Sequence, residues 1–111
     1  MALTRNYRHT TIERIQRDPA FAKALLDGAL TSFLNGEPDV ARLTLRDLVH
    51  ATGGFELLAA ETATPSKSLH RMLSAKGNPS MDNLSKIFGA VQKRLGVGIH
   101  TQTMDMALME A

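Results

Sequence analysis

The sequence predicts an all-α fold, a five-helix bundle with one short β-strand at its C-terminal end. Three observations lead there. Apolar residues recur at intervals of three and four over most of the chain, the stripe that an amphipathic helix buries. Each such run opens at a capping residue or a proline and stops near glycine or asparagine. Strict alternation of apolar and polar residues occurs once, after Gly96. At 111 residues the chain has enough length for one core of ordinary size and too little for two.

The first helix is expected from about Pro19 to Leu34, because Asp18 offers its carboxylate to free N–H groups and Pro19 already has the φ that a first helical residue needs. Phe21, Leu25, Leu26, Ala29, Leu30 and Phe33 form its buried stripe, and Asn35-Gly36 ends it. A second helix follows the Glu37-Pro38-Asp39 turn, carries Val40, Leu43, Leu45, Leu48 and Val49, and ends at Gly53-Gly54. Two short helices come next in close succession. One spans about Phe55 to Glu61; the other begins with Thr64 as cap and Pro65 as first residue and runs to Ala75, where Gly77-Asn78-Pro79 breaks it. Ser80 caps the fifth helix, which carries Met81, Leu84, Ile87, Phe88, Val91 and Leu95 before Gly96 and Gly98.

Beyond it Val97, Ile99, Thr101 and Thr103 alternate with Gly98, His100 and Gln102, a strand pattern with no second strand in the chain. Pairing with its copy across a two-fold axis supplies the partner; a frayed tail is the alternative. The chain thus divides into an N-terminal arm over 1–16, flexible unless something holds it, a helical domain over 17–96, and a strand or tail over 97–111.

Composition removes several function classes. Hydrophobic residues are 43% and charged residues 22%, as in a folded domain. Without cysteine there are no disulfides, thiolate nucleophiles or cysteine-held metals. No apolar run reaches the roughly 18 residues of a membrane span, and MALTRNYRHTT lacks the apolar core of a signal peptide, so a cytoplasmic protein is expected. The formal charge of +2 hides an alternation along the chain. Residues 1–17 hold four bases against one acid, 18–61 three against seven, and 62–96 six against one. A basic stretch of that density suits a polyanion, or else a solvated helix face.

The informative stretch is FELLAAETATPSKSLHRML, residues 55–73, whose second half opens the basic segment. A helix-turn-helix needs a small residue where its helices touch, a tight turn about four residues later, and an apolar inner face on the second helix. Ala59 suits the contact and Ala63 the turn, where glycine is usual; Leu58, Leu69, Met72 and Leu73 suit the inner face. That leaves Ser66, Lys67, His70 and Arg71 on the outer face, polar or basic and none acidic. The plain alternative is a helical hairpin with a solvated face.

From Leu45 onward the chain, LRDLVHATGGFELLAAETATPSKSLHRMLSAKGNPSMDNLSKIFGAV, resembles the addiction-module antidote (antitoxin) proteins with a Cro/repressor-like helix-turn-helix, also described as DNA-binding prophage proteins. The LRD…GG run, SLHRMLS and GNPSMDNLSKI carry the resemblance together, and DPAFAKALLDGAL extends it over about residues 17–100. It implies a sequence-specific DNA-binding transcriptional regulator that represses its own operon as a homodimer, and whose partner is a small ribonuclease-like toxin encoded beside it. Two departures stand out. Thr64 replaces a common apolar residue and Pro65 a common capping serine, which moves the cap back by one; and TSFLNGEPDVARLT is longer than the family's usual connection.

Within the resemblance, Arg71, Lys67, Ser66 and His70 are the base-contacting candidates, with Arg71 first because its guanidinium fork fits a guanine edge or a phosphate. An exposed His70 is alternatively just solvated. Gly54, Lys76, Asn78 and Ser80 are the phosphate-contacting candidates, at helix starts or beside the second helix.

An enzyme is not expected. His9, His50, His70 and His100 fall on four separate segments with no metal-ligand or phosphate-loop motif, and Asp47 with His50 is read as a local surface pair. No catalytic residue, metal or cofactor is assigned. The competing readings are a stand-alone phage-type repressor, and a protein-binding module with weak DNA binding. In the latter, Asp18, Asp27, Glu37, Asp39 and Asp47 meet a basic partner and Tyr7, Phe21 and Phe33 anchor it.

Overall fold

The computed structural model describes residues 2–110, with side chains from Arg8 to Met109. Among them every regular element is a helix: α1 Ala2–Arg17, α2 Pro19–Leu34, α3 Pro38–Ala51, α4 Gly54–Thr62, α5 Ser66–Met72, α6 Met81–Leu95 and α7 Met106–Glu110. The five expected helices are α2 to α6; α1 and α7 are additional. The side chain of Tyr7 lies outside those described, while Phe21 and Phe33 are half-buried against the core and are not free anchors.

Local signals set most boundaries. The Asp18 carboxylate accepts from the Phe21 N–H at 3.2 Å ahead of Pro19, and the Ser80 hydroxyl accepts from the Asn83 N–H at 3.1 Å. These are the side-chain caps expected at free helix N-termini. Three helices end in one way. At Glu37, Thr64 and Val97 the N–H reaches back five residues, to the carbonyls of Ser32, Ala59 and Gln92, and the residue before each has positive φ: Gly36, Ala63 and Gly96. This is the Schellman turn, which satisfies orphan carbonyls at a helix end and ordinarily takes glycine. Ala63, at φ 53°, takes glycine's place in the turn after α4.

The segment read as an arm is ordered as α1. Among its described side chains Ile12 and Ile15 are the apolar ones, and Ile15 is buried in the core with Ile12 packed against it. The Gln16 amide donates to the Ala51 carbonyl at 3.4 Å, and Arg8 pairs with Asp47 at 3.4 Å, so α1 is held against α3. The Arg14 guanidinium stands 4.0 Å from the Phe21 ring centroid, tying α1 to α2.

One continuous core runs through the bundle. Leu26 and Ala29 of α2, Leu45, Leu48 and Val49 of α3, Leu58 of α4, Leu69 of α5, Leu73 just after it, and Ile87 and Val91 of α6 are all essentially sealed from solvent. Arg94 of α6 crosses to Glu61 of α4, its Nε donating to Oε1 at 2.9 Å.

Within the single chain no strand forms over 97–103. No neighbouring strand exists there to take the segment's N–H and C=O groups. The alternation has a different outcome: Val97 and Ile99 pack against the core while Gly98 and His100 face solvent. From Thr101 to Met109 every residue is exposed. No helix among the described residues is long and apolar enough to cross a membrane.

Candidate nucleic-acid interface

The α4–α5 pair positions the residues singled out above. Leu58 of α4 is fully buried, as are Leu69 and Leu73, which gives α5 its inward side. Lys67, His70 and Arg71 are exposed on the other side, with Ser66 half-buried beside them. The four therefore share one helix, three of them exposed.

Two details differ from expectation. The Thr64 hydroxyl does not cap α5; it donates to the Thr62 carbonyl at 3.1 Å. Pro65 itself stands at the cap position with φ −58° and ψ 138°, and the helix starts at Ser66, one residue later than expected. The extended ψ and the left-handed Ala63 together turn the chain before α5, leaving Pro65 outside the helix. The helix also stops at Met72 and does not reach Ala75. Gly77 explains the stop, because a Cβ there would lie 2.1 Å from the Met72 carbonyl oxygen. The chain folds back over the last turn of α5, and only glycine permits so close an approach.

The phosphate-contacting candidates frame this pair. Gly54 opens α4 with φ +83°. Lys76, Asn78 and Ser80 are exposed in the connection from α5 to α6. The Ser80 hydroxyl oxygen is engaged as the α6 cap, so that residue has less to offer a ligand than Lys76 or Asn78.

The sequence reading missed α3's part. Arg42 donates from Nε to the Ser74 carbonyl at 3.1 Å and from Nη2 to the Ala75 carbonyl at 2.9 Å, clasping the chain just past α5. Four residues on comes Arg46, whose Nε is buried with no acceptor among the described residues. Four further is His50, 5.0 Å edge-to-face from Phe55 of α4 and 6.3 Å from His70 of α5, centroid to centroid. His70 stacks on Phe55 at 3.8 Å, so it is fixed by a ring contact as well as solvated. The i, i+4, i+8 spacing of Arg42, Arg46 and His50 was visible as a helix face; that the face turns toward α4 and α5 was not.

Asp47 pairs with Arg8. His50 is left in a cationic setting. Burial of its ring, then Arg46, His70 and Arg8, hold its imidazole below the ordinary 6.5, with Asp47 pulling the other way. No group of three His, Cys, Asp or Glu among the described residues is placed to hold a metal ion.

Comparison with known protein families, curated proteins and solved structures finds no match for this chain.

Proposed function

We propose that the protein is a sequence-specific DNA-binding regulator in which α4 and α5 act as a helix-turn-helix and α5 enters the major groove. The observation that carries the reading is the two-sidedness of α5. Leu69 and Leu73, its apolar anchors, are sealed in the core, while Lys67, His70 and Arg71 are exposed together with no acidic residue on that helix. A short helix with a fixed back and a basic front is what groove reading requires. Ser66, Lys67, His70 and Arg71 read base edges; Gly54, Lys76 and Asn78, with Ser80, hold the sugar-phosphate rails.

The regulator acts as a homodimer, since one short recognition helix reads too little sequence and two half-sites about one helical turn apart suit a two-fold partner. Residues 97–103, without a partner strand in their own chain, pair across that axis. A toxin partner follows from the antitoxin resemblance alone and is tested by co-purification with the product of the adjacent reading frame.

The DNA reading is tested by fluorescence anisotropy on a duplex from upstream of the coding gene, beside a scrambled duplex. Arg71→Ala is expected to cost about 1–3 kcal/mol on the upstream duplex and to flatten the preference. Lys76→Ala is expected to weaken both duplexes alike and to lower the salt slope by about one per subunit. Equal affinity of the unaltered protein for the two duplexes overturns the reading.

A further inference from the structure

On the α3 flank of the α4–α5 pair, three observations converge on one small area. Arg46 and His50, four residues apart, lie on one face of α3. Phe55 ties that face to α5, because its ring meets His50 edge-on and His70 by stacking. Arg46 carries a buried Nε donor with nothing among the described residues to accept from it. Charges nearby do not neutralise the area. Arg8 of α1 is paired with Asp47, which leaves Arg46 in excess, and α4 contributes only the Phe55 ring to the contacts.

We infer that the seam between α3 and α5, lined by Arg46, His50 and His70, is a binding site for a backbone phosphate of duplex DNA. The inference rests on the DNA reading above and extends its footprint from α5 onto α3. A phosphodiester brings acceptor oxygens to the Arg46 guanidinium, whose Nε has no partner among the described residues, and a negative charge to a cluster of one arginine and two imidazoles. Such a contact positions the duplex and is blind to sequence.

A proton follows the phosphate. In the free protein burial and the surrounding cations hold the His50 pKa below its usual range. An anion at the seam reverses the sign of its surroundings and favours the imidazolium, so binding takes up a proton and tightens as pH falls. The groups that act on His50 are Arg8 from α1, Arg46 and Asp47 from α3, and His70 from α5.

The test uses the full chain and two 30-base-pair duplexes, the upstream sequence and a scrambled one, by anisotropy from pH 8 to pH 6. The unaltered protein is expected to bind both about fivefold more tightly at the acid end, a modest effect for one histidine gaining an anion. His50→Gln should lose most of that pH dependence on both duplexes. Arg46→Gln should weaken both by about three- to tenfold and lower the salt slope by about one per subunit, with Arg46→Lys restoring much of it. Thermal melts of each variant confirm that the fold is kept, and NMR titration of the His50 ring should show its pKa rising on adding duplex. Unchanged pH profile in His50→Gln, together with unchanged salt slope in Arg46→Gln, overturns the seam site while leaving the DNA reading intact. Failure of the unaltered protein to bind either duplex overturns both.

Discussion

The two shortest helices, α5 with seven residues and α7 with five, have opposite fates in the fold. Neither is long enough to stay helical alone in water. Leu69 within α5 and Leu73 just past its end are buried, its flank is clasped by Arg42, and Gly77 folds the chain over its last turn. α7 has no such hold: Met106, Leu108 and Met109 are all exposed. The difference teaches that a short helix is as definite as the tertiary contacts that grip it, and α5 is gripped through its buried leucines and at its C-terminal end. A surface meant to meet a partner in one orientation needs that kind of support.

The comparison breaks first at the buried leucine. Leu69→Ala should cost about 2–5 kcal/mol in urea unfolding, whereas Leu108→Ala in α7 should stay within about 0.5 kcal/mol. Similar losses from the two would mean that α7 is packed as firmly as α5. Gly77→Ala comes next. Its Cβ would sit against the Met72 and Arg71 carbonyls, so unfolding midpoints should fall by an amount equivalent to about 1–3 kcal/mol. A neutral result would show that the chain past α5 can move away at no cost.

Removing the clasp sharpens the contrast further. Arg42→Ala gives up two hydrogen bonds to the Ser74 and Ala75 carbonyls on a partly exposed surface, and about 1 kcal/mol of stability is the expected loss. Ala63→Gly tests the other end of α5. Relief of the left-handed strain outweighs the added freedom of the unfolded chain, for a gain of about 0.5 kcal/mol at constant m-value; a loss would show that the Ala63 methyl is needed in the turn.

The smallest effect is a pH dependence centred on His50, beside α5. The native pKa of His50 lies below 6.5, so the unfolded chain binds the proton first. Its contribution to stability is full above pH 6.5 and is lost as pH falls from there through the native value. His50→Gln should therefore show a shallower decline in unfolding free energy between pH 7 and pH 5; an unchanged decline would place the acid sensitivity elsewhere.

Much of the architecture was legible because its signals are local. Asp18-Pro19 and Ser80 start α2 and α6 as their chemistry requires, and Gly36 and Gly96 stop α2 and α6 in one turn geometry. The apolar stripes of α2, α3 and α6 recur at helical spacing, and the residues at the centre of each stripe are the ones sealed in the core. The basic outward side of α5 was legible in the same way, since Leu69, Met72 and Leu73 on the inner face leave Lys67, His70 and Arg71 to face out.

What stayed hidden depends on residues far apart in sequence. α1 shows just Ile12 and Ile15 as apolar among its described side chains, and it joins the bundle because the core takes in Ile15 and α3 offers a carboxylate to Arg8. The alternation over 97–103 was visible, but a strand requires a neighbour, so the chain alone gave those residues a core contact at Val97 and Ile99 and nothing beyond. Arg42, Arg46 and His50 were readable as one face of a helix; that Arg42 reaches the chain past α5, and that His50 meets Phe55 and His70, was decided by how α3 packs on α4. Caps, turns and periodicity act over about four residues and can be read along the chain. The pairing of faces follows from burying all the apolar stripes at once, and no single segment contains that information.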